Sequence, residues 1–430
     1  MKPRNLYMLA AALSFGGVAM GQQRDLQYWR PYDQRGVNVF ETSKQDTIGF
    51  TDQRVRIGGH FTQQFQGLRH SNQAEANVVN GVNLNELKRI GNGFNLATAN
   101  LIIDAQLEDG IRVHLATYLS SRHHQETWVK GGYIQFDKLP FFKSALADKI
   151  MENVTIRIGH MEINYGDAHF RRSDNGNAVY NPFVENLILD AFTTEIGGEV
   201  YYQKNGFLAM GSITGGEVKG DITQPEKRSP AYIGKIGYDK QLNEKLRVRL
   251  TGSVYGKEKS VSNTLYSGDR TGSRYYLVMD NVNATTSAQF TSGRFSPGYA
   301  DKLMAFVVNP FVKVGGLEVF GNLEFASGRG HGEPANRETK QYSAEAIYRF
   351  PQGSERFFIG GRYNTVESNL KDMTAPITIN RVQASGGWFV TKNILAKVEY
   401  VDQQYKGFLP SDIRHGGRFN GLMFEAVLGF

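Results

Sequence analysis

The sequence predicts an all-β fold, a transmembrane antiparallel β-barrel of about sixteen strands. Stretches of roughly nine to fourteen residues alternate apolar with polar or small side chains, as strands with two different faces do. Tight turns and longer polar loops separate these stretches alternately. Of the 430 residues 40% are hydrophobic and 21% charged, with 48 glycines, 27 Phe and 21 Tyr. This composition excludes a bundle of transmembrane helices and a charge-rich disordered chain.

The N-terminus has the pattern of an export signal. Lys2 and Arg4 precede an apolar run that ends at Met20, and Ala19 and Gly21 are small residues at the positions that a signal peptidase reads. We expect residues 1–21 to be a signal peptide. Its removal leaves 47 of the 49 basic residues against 42 acidic ones, and the net charge falls from +7 to +5. In an exported protein this balance favours an anionic solute over a nucleic acid partner.

The rest of the chain is divided into two parts. Residues 22–50 are polar with scattered aromatics, and we predict an N-terminal extension there, followed by the barrel in residues 51–430. The predicted strands are 52–66, 94–107, 111–122, 127–137, 153–164, 192–203, 206–214, 230–239, 245–256, 302–314, 317–327, 341–350, 356–366, 378–390, 394–405 and 418–430.

The two faces of these strands favour a membrane barrel over a soluble sandwich. In the first strand Val55 and Ile57 share one face, and Arg54 and Arg56 share the other. Such a polar face is too charged for a packed interior, whereas lipid outside and water inside suit both faces. Aromatic rings near predicted strand ends suit the membrane–water interface: Trp128, Tyr133, Phe136, Tyr202, Tyr238, Tyr348, Phe350, Tyr363, Trp388 and Tyr400.

Three connections break the simple turn–loop pattern. Residues 138–152 have a short helical pattern where a tight turn is expected, and residues 272–290 are predicted as a hairpin inside a long loop, 257–301. Residues 165–191, after the fifth strand, are a candidate constriction loop that carries Arg171, Arg172 and Asp174. The alternative for this segment is an ordinary extracellular loop lying over the rim.

Charged side chains on the polar faces are the candidate pore-lining residues. They are Arg54, Arg56, Arg112, Arg157, Lys235, Arg247, Arg249, Arg349, Arg362, Arg381, Lys397, Glu195, Glu199, Glu318, Glu345 and Glu399. These charges can set the ion preference of a water-filled pore. They can equally pair across strands and keep a wide wall solvated, and the sequence leaves both interpretations open.

Two resemblances give a more specific expectation. The ending FEAVLGF (424–430) resembles the C-terminal signature of bacterial outer-membrane barrels, which implies that Phe430 is an assembly signal for the barrel assembly machinery. Segments 316–328, 356–364 and 386–408 resemble porins of the Bacteroidetes type and, more distantly, the phosphate-selective porins O and P. The chain departs from the latter because its polar faces mix acids with bases. The resemblance implies a porin in the bacterial cell outer membrane, in contact with lipid and often a homotrimer.

We therefore expect a passive channel for small hydrophilic solutes with a mild preference for anions, and no enzymatic activity. The alternatives are a non-conducting barrel that acts as scaffold, adhesin or secretion-complex partner through 22–50 and 257–301, and a rim hydrolase. The hydrolase would use His160, Asp167 and His169, but no nucleophile motif accompanies them. The sequence predicts no cofactor or metal; the pair His123-His124 is interpreted as solvated, and the absence of cysteine excludes thiolate sites.

Overall fold

Sixteen long strands form one closed antiparallel barrel in the computed structural model, which describes residues 23–95, 98–119, 127–216, 224–268 and 272–430. The predicted signal peptide and the pair His123-His124 lie outside these residues. The strands are β1 (Arg54–Ser71), β2 (Thr98–Glu108), β3 (Ile111–Leu119), β4 (Thr127–Phe136), β5 (Val154–Glu162), β6 (Thr194–Lys204), β7 (Phe207–Thr214), β8 (Ala231–Gln241), β9 (Leu246–Lys257), β10 (Lys302–Val314), β11 (Leu317–Arg329), β12 (Arg337–Phe350), β13 (Phe357–Ser368), β14 (Ile377–Thr391), β15 (Ile394–Lys406) and β16 (Arg418–Gly429).

The first strand closes the barrel because it pairs with two partners. Its first half pairs with β2, from Arg54 opposite Gln106 onward, and its second half pairs with β16, ending with Ser71 opposite Arg418. A closed barrel satisfies its backbone groups internally and has no free sheet edge. The predicted fold class and strand number are confirmed, with ends that differ by a few residues; β12, for example, begins at Arg337 rather than at residue 341.

The outer surface of the barrel is apolar and the inner surface is polar. Val55 and Leu250 are exposed on the outside, whereas Arg249 and Arg381 are buried on the inside. An apolar outer face combined with charged inner positions is stable when lipid surrounds the barrel. The barrel therefore spans a membrane with its strands. In the described residues, no helix has the length and apolarity that a membrane-spanning helix requires.

Two of the aromatics predicted at the membrane interface point into the barrel instead. Trp128 packs edge-on against the buried ring of Tyr118, and Tyr133 lies beside His114 on the inner wall. An irregularity between β3 and β4, where Lys130 is an extra residue without a partner opposite it, puts these two rings on the same face although they are five positions apart. A single inserted residue changes the face to which later side chains point. The exposed aromatics are Tyr202, Tyr238, Tyr348, Phe350, Tyr363, Trp388 and Tyr400.

The connections at the two ends of the barrel differ. The helix predicted within 138–152 is confirmed as α1 (Ala145–Met151), which follows a single 3-10 turn, Pro140–Phe142. The hairpin predicted at 272–290 is wrong, because turns without a strand ladder occupy this fully described segment. Its backbone donors bind side chains of the interior instead: the N–H of Tyr276 donates to Gln66 at 2.8 Å, and the N–H of Met279 donates to His70 at 2.9 Å.

Candidate functional site: the barrel lumen

Residues 27–48 run once around the inside of the barrel at the end that carries the short turns, and we call them the inner ring. Along the ring, its successive contacts on the wall are Gln106 in β2, Lys392 after β14, Glu318 in β11, Lys235 in β8 and Val154 in β5. The side chain of Gln27 donates to the carbonyl of Ile48 at 2.8 Å and closes the circuit. The ring therefore narrows this end of the barrel.

Residues 163–193, which we call the inward loop, cross the lumen. The side chains that hold its backbone come from β1, β10, β13 and β15, and they are Thr62, Asn309, Asn364 and Glu399. Its apolar residues Phe183, Val184 and Ile188 are completely buried. The loop thus lies within the barrel and not over its rim.

A second long loop, residues 258–301, packs on the inward loop, and we call it the upper loop. The N–H of Phe295 donates to the carbonyl of Ile188 at 2.8 Å. Arg294 forms ion pairs with Glu185 and Asp190 of the inward loop, both at 2.9 Å. Together the two loops fill the part of the lumen that faces the later strands.

Many of the candidate pore-lining charges point into this filled part and have partners there. The ion pairs are Arg349–Glu318 at 2.7 Å, Arg362–Glu345 at 2.8 Å, Lys397–Glu425 at 2.6 Å and, from the inward loop, Arg171–Glu345 at 3.4 Å. Arg381 donates to the carbonyls of Asn186 and Gly293 at 2.6 and 2.8 Å. The first three pairs join neighbouring strands, whereas Arg171 and Arg381 hold the loops to the wall.

The predicted inward-facing acids of β6 and β15 accept hydrogen bonds in the same way. Glu399 accepts from the hydroxyl of Tyr275 in the upper loop at 2.6 Å. Glu195 accepts from Tyr255 at 3.1 Å, and Glu199 accepts from the N–H of Asn164 at 3.2 Å. Burial without such donors would leave costly unsatisfied charges.

Arg249 on β9 and Lys235 on β8 connect the inner ring and the inward loop to the barrel wall. Arg249 contacts Glu41 of the inner ring at 2.8 Å and Asp167 of the inward loop at 2.7 Å. Lys235 contacts the same two carboxylates at 2.9 and 2.7 Å. The two positive charges of this cluster therefore compensate its two negative charges. The neighbouring Arg247 forms a separate ion pair with Asp239 at 2.7 Å.

The two carboxyls of this cluster are ionised at neutral pH. Burial alone would raise the pKa of Asp167, but the charges of Lys235 and Arg249 outweigh burial and lower it to about 2. Burial also opposes ionisation of Glu41, and the same two cations hold its pKa well below the usual range.

The opposite side of the lumen contains a cavity lined by described residues. This cavity of about 220 Å³ lies against β2 to β5 and the start of β6, between the wall, the inner ring and the inward loop. The basic residues that line it are Arg30, Arg112, His114, Lys130, Arg157, His160, His169 and Arg172. Of the described lining residues only Glu162 and Asp174 are acidic. The lining is therefore predominantly basic.

Arg157 on β5 faces this cavity, and its hydrogen-bond and ring partners are uncharged. Its Nε donates to Gln135 at 2.8 Å, and its guanidinium lies 5.5 Å from the ring centre of Tyr133 and 5.0 Å from that of Tyr201. No carboxylate oxygen of the described residues lies within 4.0 Å of this guanidinium. Glu199 lies opposite Arg157 in the pairing of β5 with β6 without forming an ion pair, so the charge of Arg157 is compensated only in part.

Arg30 enters the cavity from the inner ring. Its guanidinium lies 3.7 Å from the ring centre of Tyr180 and donates to the carbonyls of Gly36 and Phe170, both at 2.9 Å. It too lacks a carboxylate within 4.0 Å among the described residues. Burial raises the pKa of Tyr180 to about 12, so its hydroxyl stays protonated and donates to the carbonyl of Pro31.

The other predicted site residues near the cavity are paired. Arg112 contacts Asp104 at 2.8 Å, and Arg172 contacts Asp190 at 2.6 Å. Asp174 forms an ion pair with Lys130. At the rim of the short-turn end, Arg54 contacts Asp52 at 3.1 Å and Arg56 lies 4.4 Å from the ring centre of Trp29; neither of these two arginines lines the cavity.

Several lining residues were missed by the sequence analysis. Lys130 lies at the strand irregularity, where strict alternation assigns it no clear face, and Arg30 belongs to a segment without periodicity. By contrast, period-two alternation places His114 on the same inner face as Arg112, so the sequence alone could have predicted that His114 points inward.

The three residues of the hydrolase alternative have separate partners. His160 hydrogen-bonds to Thr194 at 3.0 Å, His169 contacts Glu162 at 3.1 Å, and Asp167 binds Arg249. Within the described part of the chain, no group of three or more His, Asp or Glu residues is placed to bind a metal.

Comparison with known proteins supports the fold. No protein-family model and no curated protein matches this sequence. Among solved structures, the outer membrane channel DcaP of Acinetobacter baumannii is similar, with a TM-score of 0.52 and 11% identity over 88% of this chain and 98% of that one. Outer-membrane expressed OmpT of Vibrio cholerae gives a TM-score of 0.51 and 10% identity over 89% of this chain and 99% of that one. The anion-selective porin from Comamonas acidovorans gives 0.50 and 10% over 88% of this chain and all of that one. The chain therefore has the sixteen-strand fold of outer-membrane porins.

Proposed function

We propose that this protein is a passive channel of the bacterial outer membrane that admits small hydrophilic solutes with a mild preference for anions. The observation that carries the proposal is the cavity beside the inward loop, where basic side chains outnumber the two carboxylates. In a confined aqueous space between low-dielectric walls, such an excess attracts anions and repels cations. Arg157 and Arg30, which form no ion pair within 4.0 Å among the described residues, contribute most to this effect.

Within this proposal the lumen has two parts with different roles. Arg112, Arg157, Arg30 and Lys130 line the conducting part, and the inward loop, with Arg172 and Asp174, forms its constriction. The remaining inward charges brace the filled part: Arg171, Lys235, Arg247, Arg249, Arg349, Arg362, Arg381, Lys397, Glu195, Glu199, Glu318, Glu345 and Glu399. Arg54 and Arg56 lie at the rim, where they meet solutes before the constriction.

The structure gives no support to the scaffold or adhesin alternative. That alternative needs residues 22–50 and 257–301 as contact surfaces, but the inner ring and much of the upper loop are packed inside the barrel. The proposal also includes no enzymatic activity, since the three residues of the hydrolase alternative bind separate partners.

The proposal extends to assembly and partners. A trimer form is described for OmpT of Vibrio cholerae, so a homotrimer is part of the proposal. Phe430 is exposed at the end of β16 and exchanges two backbone hydrogen bonds with Gly59, both at 3.1 Å. We propose that the barrel assembly machinery recognises Phe430 as an assembly signal. The likeness to Bacteroidetes-type porins and to porins O and P rests on sequence segments alone.

Solute entry into proteoliposomes tests the proposed function. Liposomes containing the folded chain should swell in a small neutral sugar, and an anionic solute should enter faster than a cationic solute of similar size. Protein-free liposomes and liposomes containing heat-denatured chain are the controls. Entry no faster than in these controls, for every solute, would contradict the proposal.

A further inference from the structure

The connection between β4 and β5 presents an apolar surface to the outside of the barrel. Phe141, Phe142, Leu146 and Ile150 are exposed to 58%, 63%, 69% and 51%. Leu146 and Ile150 are one helical turn apart in α1 and therefore share a face. An exposed apolar patch of this kind on a folded chain marks a surface that contacts something other than water.

This patch is continuous with the membrane-facing wall. Phe136 is the last residue of β4, at the short-turn end, and its ring centre lies 6.5 Å from that of Phe141. The ring centres of Phe141 and Phe142 are 4.7 Å apart. Met151 at the end of α1 is buried and fixes the helix to the barrel. The apolar outer face of the barrel thus continues beyond the last residue of the strand at the short-turn end.

Basic side chains accompany the patch. Among the described residues, no carboxylate oxygen lies within 4.0 Å of the ammonium groups of Lys143 and Lys149. Long ammonium side chains beside apolar residues can place their stems on the apolar surface and their charges at lipid phosphates. Aromatic rings at the same level are typical of the membrane–water interface.

We infer that residues 139–150 lie in the membrane–water interface on the short-turn side and anchor the barrel to that leaflet. The phenylalanines, Leu146 and Ile150 contact acyl chains, while Lys143 and Lys149 face phosphate head groups. The occupant of the patch is the lipid surface, because the patch extends a wall that already faces lipid. The inference requires the barrel to span a membrane but does not require it to conduct.

Single-cysteine labelling tests this inference in the full processed chain, which contains no natural cysteine. Leu146→Cys places an environment-sensitive fluorophore on the patch. Asp148→Cys, on the opposite face of α1, is the matched control, and Tyr363→Cys on the outer wall reports membrane insertion. The labelled proteins are reconstituted in phosphatidylcholine–phosphatidylglycerol vesicles with brominated acyl chains, and iodide serves as the aqueous quencher.

We expect brominated lipid to quench the label at position 146 several-fold more than the label at 148, and iodide to show the reverse order. Equal access of iodide to both positions would overturn the inference, since the patch would face water. A label at 146 that is shielded from both quenchers would also overturn it, since a protein surface such as a second copy would cover the patch. Quenching at position 363 separates these results from failed insertion, and no outcome depends on conductance.

Discussion

At the scale of single residues, Arg157 matters most because it faces the cavity and forms no ion pair within 4.0 Å among the described residues. We predict that Arg157→Gln lowers the preference for anions. A unit charge about 7 Å from a permeating ion contributes ~0.6 kcal/mol in water, and salt screens it over about 10 Å at 0.1 M. At low salt the permeability of anions should therefore fall, and that of cations rise, by up to about threefold each, so that their ratio falls by up to about sevenfold. The shift of reversal potential in a salt gradient measures this change, which should be smaller at high salt.

Arg247→Gln is the matched control for that measurement. Arg247 has the same charge, but it pairs with Asp239 and does not line the cavity. Its replacement should leave the reversal potential unchanged. An Arg157→Gln variant that behaves like this control at low salt would show that the cavity is not the conducting path.

The Glu41–Asp167–Lys235–Arg249 cluster predicts an acid-sensitive stability. The pKa of Asp167 is about 2, and that of Glu41 is also lowered, by Lys235 and Arg249 acting against burial. Groups with lowered pKa values stabilise the folded state above their unfolded pKa of about 4, and this contribution is lost as the pH falls through the folded value. A carboxyl whose pKa is lower by one in the folded state than in the unfolded state contributes ~1.4 kcal/mol at neutral pH.

We therefore predict that thermal stability, followed by heat-modifiable gel mobility, is level from pH 7 to about pH 5 and falls between about pH 4 and pH 2. A Glu41→Gln/Asp167→Asn double variant should lose part of this pH dependence and be less stable at pH 7, since two buried cations lose their partners. A variant with the parent's acid profile would contradict the assignment.

Deletion of Phe430 should reduce the amount of folded protein in the outer membrane. The deletion removes the exposed terminal ring and the two hydrogen bonds that join it to Gly59. Heat-modifiable protein in membrane fractions is the measurement, with Phe430→Tyr as the control that keeps an aromatic terminus. Normal levels after the deletion would remove the assembly role from Phe430.

At the scale of elements, the inner ring is the feature with the clearest functional consequence. Its residues Trp29, Arg30, Tyr32 and Phe40 line the cavity at the short-turn end. Deletion of residues 23–48 should therefore raise single-channel conductance, and Trp29→Ala should raise it less. If both variants fold, as judged by heat-modifiable mobility, and conduct like the parent, the ring does not limit the path.

The elements also show how far the sequence could predict this structure. The strands were predictable because each has one face toward lipid and one toward the interior, so period-two alternation marks them. The inner ring and the upper loop have no such period; their backbone groups bind side chains scattered over the wall, such as Gln66 and Glu318. Contacts between segments more than 100 residues apart leave no local pattern.

At the scale of the whole molecule, alternation predicts which side chains point inward but not which part of the interior is filled. Arg157 and Arg381 both have inward positions in the sequence pattern, yet Arg157 lines a cavity and Arg381 is buried against the inward and upper loops. The difference depends on where two long loops fold within a closed wall. The pore could therefore be predicted as a class of structure, while its position required the complete fold.

The central claim is that the barrel conducts through the cavity on one side of its lumen. Single-channel recording in a planar bilayer tests this claim most directly. The parent protein should give discrete, ohmic conductance steps with a reversal potential on the anion side at low salt, and Arg157→Gln should shift that potential toward cation preference. Folded protein that inserts without conductance steps, or steps with cation preference in the parent, would contradict the account.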